Sequence, residues 1–321
     1  MMYKKGIFFC GFLSLALMMN SCNKDTGTNS PDDNNKPATE TFGTFLVSLK
    51  GDIDDDPKIT TVLGRINDGP SPQEIIYEKR ESNGKCVLYQ SRVPFCAEDC
   101  GSDAICVEND SCQPYPSWIN VGIVTGNGFK INNEKKAFTM ECIRGSYQSP
   151  TLDFPPCAEG DSVSFSAAGS GSISAFTMGG RGILPLAILN ESFPCSTGQD
   201  INVQWEKPNI QGISTIFIFI DISYHGGSKG KIECDCEDNG SLTVAAALLD
   251  KLKTYGMSGW PKIEVYRRAI SVNEAVKARV VVESKITRFL SIPGIISCSD
   301  DSQCPEGMYC GGDQRCHFPN E

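Results

Sequence analysis

Two clusters of cysteine residues with the same spacing restrict what this chain can fold into. In each cluster the last three cysteines are separated by five residues, and an aromatic residue and a proline follow. A segment of about twenty residues has too few apolar side chains for a core, so it needs crosslinks. We therefore predict two disulfide-stapled segments, 96–116 and 298–321, and four cysteines allow three pairings in each. The cysteines are Cys96, Cys100, Cys106 and Cys112 in the first segment and Cys298, Cys304, Cys310 and Cys316 in the second.

The beginning of the chain has the build of a secretory signal. Lys4 and Lys5 precede an uncharged, mostly apolar run over residues 6–19, and Ser21 then stands before Cys22. That run is too short to span a bilayer, and no later segment supplies the ~20 apolar residues of a crossing helix. The stretch ending at Cys22 resembles the lipobox of bacterial lipoproteins. The resemblance implies cleavage before Cys22 and acyl chains on it; the alternative is an ordinary signal followed by a structural cysteine.

An acylated Cys22 would tether the protein to a membrane, because two or more lipid chains give stable attachment. Residues 23–41 are polar and lack apolar periodicity, so we expect a disordered tether over 22–41. Loss of residues 1–21 removes two lysines and no acid, which moves the formal charge from −10 to −12. An acidic body argues against nucleic acid as a partner. We predict a lipid-anchored protein on the periplasmic or surface side of the cell envelope, with the outer membrane as the expected location.

The cysteine count indicates a larger disulfide framework. Of sixteen cysteines, Cys10 lies in the signal and Cys22 is the predicted anchor, and the even remainder permits up to about seven bridges in an exported chain. Metal binding is disfavoured because only His225 and His317 accompany the cysteines and an oxidising compartment removes free thiolates. We predict no metal and no cofactor. The disulfide candidates outside the two clusters are Cys86, Cys142, Cys157, Cys195, Cys234 and Cys236.

Stretches in which apolar and polar residues alternate fill the rest of the chain. In the last long one, Ala278, Val280 and Val282 oppose Arg279 and Glu283. Period-two alternation with one polar face is typical of antiparallel sheets packed as a sandwich. The predicted strands cover residues 42–50, 59–66, 75–79, 85–89, 119–125, 137–143, 162–168, 173–178, 184–189, 201–205, 216–220, 263–270 and the stretch beginning at 278.

Two segments refine this fold. Residues 216–220 are apolar on both faces, which predicts a central strand, and residues 244–252 are strong helix formers that end before Gly256. The sequence predicts a mostly β fold: an antiparallel, jelly-roll-like β-sandwich with one short helix and two small cysteine-rich segments. In order we expect a signal peptide (1–21), a tether (22–41), N-terminal strands (42–95), a cysteine-rich segment (96–116), a β-sandwich body (117–293) and a second cysteine-rich segment (298–321).

Several motifs together carry a wider resemblance. The motifs Gly84-Lys85-Cys86, Val203-Gln204-Trp205 and Ile232-Glu233-Cys234 lie in a stretch, roughly 45–290, that resembles uncharacterised cysteine-rich surface lipoproteins of Gram-negative bacteria. That resemblance implies architecture and location and no activity. The two cysteine clusters resemble the two-disulfide modules of dickkopf and colipase. This second resemblance implies pairing of the first cysteine with the third and of the second with the fourth, and it implies no receptor.

Three polar motifs have both a chemical and a plain structural interpretation. Asp221, Ser223 and His225 share a strand face, but the histidine is last and no nucleophile elbow is present, so we favour a polar strand edge. The acidic residues at 52–56 and at 235–238 resemble the starts of calcium loops. Both lack the closing glutamate, so we favour acidic turns.

Tryptophans and acids leave two functions open. Trp118, Trp205 and Trp260 have rings suited to stacking on sugars, although burial in a sandwich core is the commoner role and is the one we expect for Trp205. We favour a non-catalytic binding or structural module with a glycan or protein ligand. The alternative is an anchored carbohydrate-active or hydrolytic enzyme whose carboxylates no motif identifies.

Overall fold

The computed structural model describes residues 42–51, 58–73, 75–170, 173–222, 227–257 and 259–319. The signal peptide (1–21), Cys22 and the tether (22–41) lie outside the described residues, as do the acidic turn at 52–56 and Ser223 and His225. In the described part of the chain, no helix has the length and apolar character needed to cross a membrane.

The described chain is built from strands of 2 to 14 residues with one α-helix, α1 (Ala246–Lys253). The first ten strands are β1 (Gly43–Lys50), β2 (Ile59–Ile66), β3 (Ile76–Asn83), β4 (Cys86–Arg92), β5 (Ala104–Cys106), β6 (Cys112–Pro114), β7 (Val124–Ile131), β8 (Glu134–Met140), β9 (Cys142–Ile143) and β10 (Ser146–Gln148). The others are β11 (Ser162–Ala167), β12 (Phe176–Arg181), β13 (Phe193–Pro194), β14 (Ile201–Gln204), β15 (Thr215–Asp221), β16 (Gly230–Glu237), β17 (Ser241–Val244), β18 (Lys262–Asn273), β19 (Ala278–Ser291), β20 (Tyr309–Cys310) and β21 (Cys316–His317).

One large sheet runs through the described structure in the order β3-β4-β16-β15-β18-β19-β1-β2-β10-β9, and β13 pairs with β19 outside this path. Most pairs are antiparallel, but β1 and β13 lie parallel to β19, which departs from a purely antiparallel jelly roll. Strand β15 lies between β16 and β18, so the prediction of a central strand over residues 216–220 is confirmed. Because strands from 42–95 and from 117–293 share this sheet, they form one structural body.

A second sheet, β12-β11-β7-β8, packs against one half of the large sheet and completes the predicted β-sandwich. The space between them is the sandwich core. Phe45 of β1 stacks on Phe165 of β11 with ring centroids 4.9 Å apart, and both side chains are fully buried. Val280 and Val282 of β19 line the same core, as the alternation in the sequence predicts. Aromatic stacking and apolar burial therefore hold the two sheets together.

The other half of the large sheet is covered by α1 and by the two-stranded ribbon β14-β17, which form the helix-side core. Leu248, Leu249 and Leu252 of α1 are buried there, as the sequence predicts. The helix begins at Ala246, two residues later than predicted, because Val244 still pairs with Ile201 at the end of the ribbon.

Arg267 is completely buried where the two cores meet. Its strand neighbours on the same face are Val265 in the helix-side core and Ala269 in the sandwich core. The Nε of Arg267 donates to Asp238 Oδ2 at 2.6 Å, and its Nη2 donates to Asp238 Oδ1 at 3.1 Å. Asp238 also accepts hydrogen bonds from Trp205 Nε1 and from a serine hydroxyl, each at 2.7 Å. The buried charge pair is therefore surrounded by donors and acceptors of good geometry.

The predicted strand over residues 184–189 does not form, and Arg267 explains why. The carbonyl oxygens of Leu184 and Pro185 accept hydrogen bonds from Arg267 Nη1, and Leu186 N donates to Ser284 Oγ at 2.9 Å. Because side chains satisfy the backbone of residues 184–186, that part has no strand partner. Residues 187–189 form only a single bridge, between Ile188 and Trp205, in which Leu189 N donates to Gln204 O and Glu206 N donates to Ala187 O. Nor does the strand predicted at 119–125 begin at residue 119: β7 starts at Val124, after Gly122 takes a positive φ of 81°.

Five disulfides crosslink the described residues. Cys86 on β4 is bonded to Cys234 on β16, across a separation of 148 residues. Both cysteine-rich segments pair first with third and second with fourth, the order that the resemblance to two-disulfide modules implies. These bonds are Cys96–Cys106 and Cys100–Cys112 in the first segment and Cys298–Cys310 and Cys304–Cys316 in the second.

Four disulfide candidates, Cys142, Cys157, Cys195 and Cys236, are free thiols instead, which corrects the prediction of up to seven bridges. Cys195 and Cys236 belong to the helix-side core, Cys157 belongs to the sandwich core, and Cys142 packs against that core. Burial raises the pKa of both Cys157 and Cys236 to about 11. These cysteines act as small apolar side chains among apolar neighbours, so an even cysteine count overestimates the number of bridges.

We expect Arg267→Met to lower the free energy of unfolding by about 3–5 kcal/mol, because it leaves the Asp238 carboxylate buried without its counter-charge. Urea denaturation measures this. The matched control is Arg268→Met on the opposite face, where an outer ion pair contributes about 1 kcal/mol or less. Equal losses in the two variants would contradict the structural role of the buried pair.

We expect joint replacement of Cys86 and Cys234 by alanine to lower the free energy of unfolding by about 2–5 kcal/mol, because this bond closes a long loop and restricts the unfolded chain. Replacing Cys96 and Cys106, which are 10 residues apart, serves as the control. That change should loosen only the first cysteine-rich segment and leave the main denaturation midpoint in place. A main midpoint that moves equally in both variants would refute this assignment.

Candidate functional site

The face of the large sheet opposite the two cores, here called the open face, carries aromatic side chains with cations above their rings. The guanidinium of Arg268 lies 4.1 Å from the ring centroid of Tyr266 and 4.7 Å from that of Phe217. Lys231 Nζ lies 3.7 Å from the ring centroid of Tyr77. These cations already occupy ring faces, so the aromatic residues are poorly placed to stack on a sugar.

The charges of the open face also neutralise one another. Glu264 Oε1 pairs with Lys285 Nζ at 2.8 Å and with Lys262 Nζ at 3.1 Å, while its Oε2 accepts the hydroxyl of Tyr266. Burial would raise the pKa of Glu264, but these three hydrogen bonds outweigh it and lower the pKa. Glu264 is therefore held in its ionised form. A carboxylate in that form is unsuited to donating a proton to a substrate.

A different arrangement occurs at one end of the open face, in a cavity of about 460 Å³. We call it the arginine cleft, and it is lined by Phe42, Thr44, Arg65, Asn67, Pro70, Ser71, Gln73 and Arg279. Thr44 on β1 is paired with Arg65 on β2 and with Arg279 on β19. Paired residues share a face, so the two arginines flank Thr44 with Cα atoms about 10 Å apart.

The two arginines of the cleft have only neutral hydrogen-bond partners among the described residues. Arg65 Nη2 donates to Ser146 Oγ, and Arg279 Nε donates to Thr44 Oγ1, both at 3.3 Å. Neither forms an ion pair with a carboxylate of the described chain, unlike Arg268, which pairs with Glu283 at 3.0 Å. A guanidinium has five N–H donors, so most donors in the cleft remain available to a ligand.

The outer wall of the cleft is the turn formed by residues 67–73. Asp68 N donates to Ser117 O at 3.0 Å, and Asp68 Oδ1 accepts from Ser117 N at 2.8 Å. Gln113 Nε2, within the first cysteine-rich segment, donates to Pro70 O at 3.1 Å. The stapled segment and the residue that follows it therefore hold this wall in place beside the two arginines.

A second cavity, of about 620 Å³, adjoins the arginine cleft and shares Phe42 and Asn67 with it. Lys277 Nζ lies 4.7 Å from the ring centroid of Phe42 and lines this second cavity. Asp68 lines the second cavity as well, so this side of Phe42 carries one positive and one negative side chain, whereas the side of the arginine cleft carries two positive ones.

The candidate residues from the sequence are scattered through the structure. Trp205 is buried and donates to Asp238, as expected for a core residue, whereas Trp118 is 55% exposed and its backbone pairs with Asn67. The ring of Trp260 packs on Phe289 at 5.2 Å. Of the three candidate triad residues, the structure describes Asp221, which accepts a hydrogen bond from Ser228 Oγ. Ser223 and His225 lie outside the described residues. The calcium-loop interpretation of residues 235–238 fails because Asp238 is occupied by Arg267 and its other donors.

In two groups of three cysteines, the sulfur atoms lie within 4.8 Å of one another, which is close enough for them to share a metal ion. Each group contains a disulfide, Cys100–Cys112 or Cys304–Cys316, and its third sulfur is bonded to a fourth cysteine. Bonded sulfurs are not thiolates, so the proximity results from the crosslinks.

Sequence reasoning missed Arg65 and Arg279, the residues that define the cleft. They lie on strands at opposite ends of the chain and belong to no motif. Only the pairing of β1 with both β2 and β19 brings them together. The one available signal was a positive residue within each alternating strand, which is typical of any solvent-facing position.

Comparisons with known proteins give no family. No protein-family model and no curated protein matches the sequence. Among solved structures, a tetra-tandem repeat from the extending region of a large adhesion protein matches with 12% identity and a TM-score of 0.23, covering 80% of this chain and 76% of that chain. A two-domain fibronectin type III segment of chicken tenascin matches with 12% identity and a TM-score of 0.21, covering 67% and 97%. Chicken CNTN1 FN1–FN3 domains match with 10% identity and a TM-score of 0.21, covering 72% and 78%.

The second cysteine-rich segment contains a charge cluster that makes its stability depend on pH. Asp313 lies 2.8 Å from His317 Nε2 and accepts from Arg315 Nε at 2.6 Å. Partial burial would raise the pKa of Asp313, but hydrogen bonds from His317 and Arg315 outweigh it and lower the pKa from 3.8 to about 2. A lowered pKa means that ionised Asp313 stabilises the folded segment above the unfolded value and that this contribution is lost as the pH falls through about 2.

We expect Asp313→Asn to increase hydrogen exchange within residues 298–319 at neutral pH, because the ionised carboxylate no longer holds His317 and Arg315. The difference from the unsubstituted protein should shrink as the pH falls from 3.8 to about 2, where the native carboxylate is itself protonated. Amide exchange measured across this range checks the expectation, and a difference that stays constant down to pH 2 would disprove it.

Proposed function

We propose that this chain is an exported, lipid-anchored, non-catalytic binding module of the cell envelope. Acyl chains on Cys22 attach it to the bilayer, the tether over 22–41 separates it from the membrane, and the outer membrane is the proposed location. The ligand is a glycan or a protein, and the formal charge of the chain, which moves from −10 to −12 on loss of Lys4 and Lys5 with the signal, argues against nucleic acid as a partner. The proposal of an anchor is supported by the sequence alone.

The arginine cleft is the observation that carries the binding function. Elsewhere on the open face, Glu264 pairs with two lysines and Arg268 pairs with Glu283, so these charges are satisfied without a ligand. In the cleft, Arg65 and Arg279 line the same cavity and have only neutral partners among the described residues, an arrangement that suits an anionic hydrogen-bond acceptor.

The enzymatic alternative draws no support from Glu264, Asp238 or Asp313. Glu264 is held ionised by two lysines and a tyrosine, and the acids at Asp238 and Asp313 are occupied by arginine. An anchored carbohydrate-active or hydrolytic enzyme would need a carboxyl group free to exchange a proton in a cavity.

We expect the expressed protein to incorporate radiolabelled palmitate, because acylation of a cysteine after signal cleavage requires fatty acid. Cys22→Ala should abolish the label and release the protein from the membrane fraction. Cys10→Ala, a cysteine within the apolar run, is the matched control and should leave labelling intact. Label that persists in Cys22→Ala would refute the anchor and leave the binding proposal standing.

The binding function itself is tested on the detergent-solubilised, full-length protein with an array of acidic and neutral glycans. We expect selective retention of some glycans at submillimolar affinity, because the cavity has the size of a small-ligand site. A pull-down of envelope proteins with the same solubilised protein tests the protein ligand. If neither glycans nor envelope proteins are retained, the binding proposal fails whatever the outcome of the labelling experiment.

A further inference from the structure

We propose that the arginine cleft binds an acidic saccharide through its oxyanion, a carboxylate or a sulfate, held between Arg65 and Arg279. This inference rests on the proposed binding function and names its ligand class. It is carried by two guanidinium groups that line one cavity of about 460 Å³ and form no ion pair with a carboxylate in the part of the chain that the structure describes.

The geometry favours a single oxyanion bound from both sides. Arg65 on β2 and Arg279 on β19 lie on either side of Thr44 on β1, the strand that pairs with both. Their side chains therefore leave the sheet on the same face. A guanidinium presents paired N–H donors that match two oxygens of a carboxylate or a sulfate. Each arginine donates one hydrogen bond of 3.3 Å to a neutral hydroxyl group, Arg65 to Ser146 and Arg279 to Thr44, and an anion can replace that hydroxyl as acceptor.

The charge distribution sets this cleft apart from its surroundings. The protein carries 39 acids against 29 basic residues, yet the described residues lining the cleft include two arginines and no acid. An acidic protein body repels an anionic lipid surface, which argues against a lipid headgroup as the source of the oxyanion. A soluble acidic ligand can instead enter the local positive potential.

The remaining lining fits the rest of a sugar ring. Asn67, Ser71 and Gln73 provide neutral amide and hydroxyl groups. These groups suit the hydroxyl groups of a pyranose, whereas a bare inorganic anion would use the arginines alone. The cavity lies within the range of about 300–1,000 Å³ that is typical of small-ligand sites, so one or two sugar residues fit.

The wall of the cleft is held in position before any ligand arrives. Asp68 is tied to Ser117 by two hydrogen bonds, and Gln113 of the stapled segment holds the carbonyl of Pro70. A preorganised wall reduces the entropy lost on binding. The first cysteine-rich segment contributes no residue to the lining of the cavity. Its proposed role in binding is to hold the wall in place.

Isothermal titration of the full-length, detergent-solubilised protein tests the proposal. The probes are a tetragalacturonate, a sulfated tetrasaccharide from heparin, a neutral galactose tetrasaccharide and inorganic phosphate. We expect one or both acidic saccharides to bind, more weakly at higher salt, and the neutral saccharide and phosphate to bind at least about tenfold more weakly. The stronger of the two acidic probes identifies the oxyanion as carboxylate or sulfate.

Two variants locate the site. Arg65→Gln and Arg279→Gln should each weaken binding of the acidic probe by about tenfold or more, and the double variant by more than either, because each removes a charge-assisted hydrogen bond. Arg181→Gln is the matched control, an exposed arginine on β12 whose partners are the carbonyl of Gly160 and a serine hydroxyl. It changes the net charge equally and should leave affinity unchanged.

The outcomes separate this inference from the proposed function. Binding that survives the double variant, or falls equally in Arg181→Gln, overturns the cleft while the binding function stands. Equal binding of the neutral tetrasaccharide overturns the role of the oxyanion, and equal binding of inorganic phosphate overturns the role of the sugar. If none of the probes binds while the glycan array or an envelope protein gives a positive result, the ligand class is wrong; if those fail as well, the binding function falls with it.

Discussion

The buried ion pair between Arg267 and Asp238 is the constraint on which the rest of the structure depends. Removing two charges from water is costly, and their attraction offsets that cost only when every other donor and acceptor is also satisfied. Here the guanidinium reaches Asp238 and three backbone carbonyls, and the carboxylate also accepts from Trp205. The pair therefore connects strand β18, the loop over residues 184–189 and the residues that follow the ribbon strand β14. These connections lie between the two hydrophobic cores.

Continuity of the large sheet across that point places the arginine cleft. Since β19 extends under both cores, the half of the strand that supports the sandwich also pairs with β1, and β1 pairs with β2. Register along these strands decides that Arg65 and Arg279 flank Thr44. The same sheet carries the open face, where Glu264 and its lysines neutralise each other. Among the described residues, carboxylates pair with the cations elsewhere on this surface but not with Arg65 or Arg279, and this contrast supports the proposal that the cleft is a site.

Disulfides have two different roles in this protein. Cys86–Cys234 joins neighbouring strands of the large sheet and restricts a long loop of the unfolded chain, whereas the four bonds in the cysteine-rich segments replace a core that those segments lack. The first of these segments holds the wall of the cleft through Gln113. Cys157, Cys195 and Cys236 are buried thiols in well-packed surroundings, so apolar packing rather than crosslinking accounts for them.

Local pattern alone determined the β-sandwich class, the helix that buries Leu248, Leu249 and Leu252, and the two stapled segments, because alternation, helix propensity and cysteine spacing act over a few residues. The tertiary structure alone decided the parallel pairing of β1 with β19, the loss of a strand at 184–189, the four free thiols and the convergence of Arg65 with Arg279. Each of these depends on partners distant in sequence, and such partners leave no periodic signal in the chain. A charged residue in a strand looks the same whether its partner is an acid, a carbonyl or a ligand, and only the packed sheet distinguishes Arg267, Arg268 and Arg279.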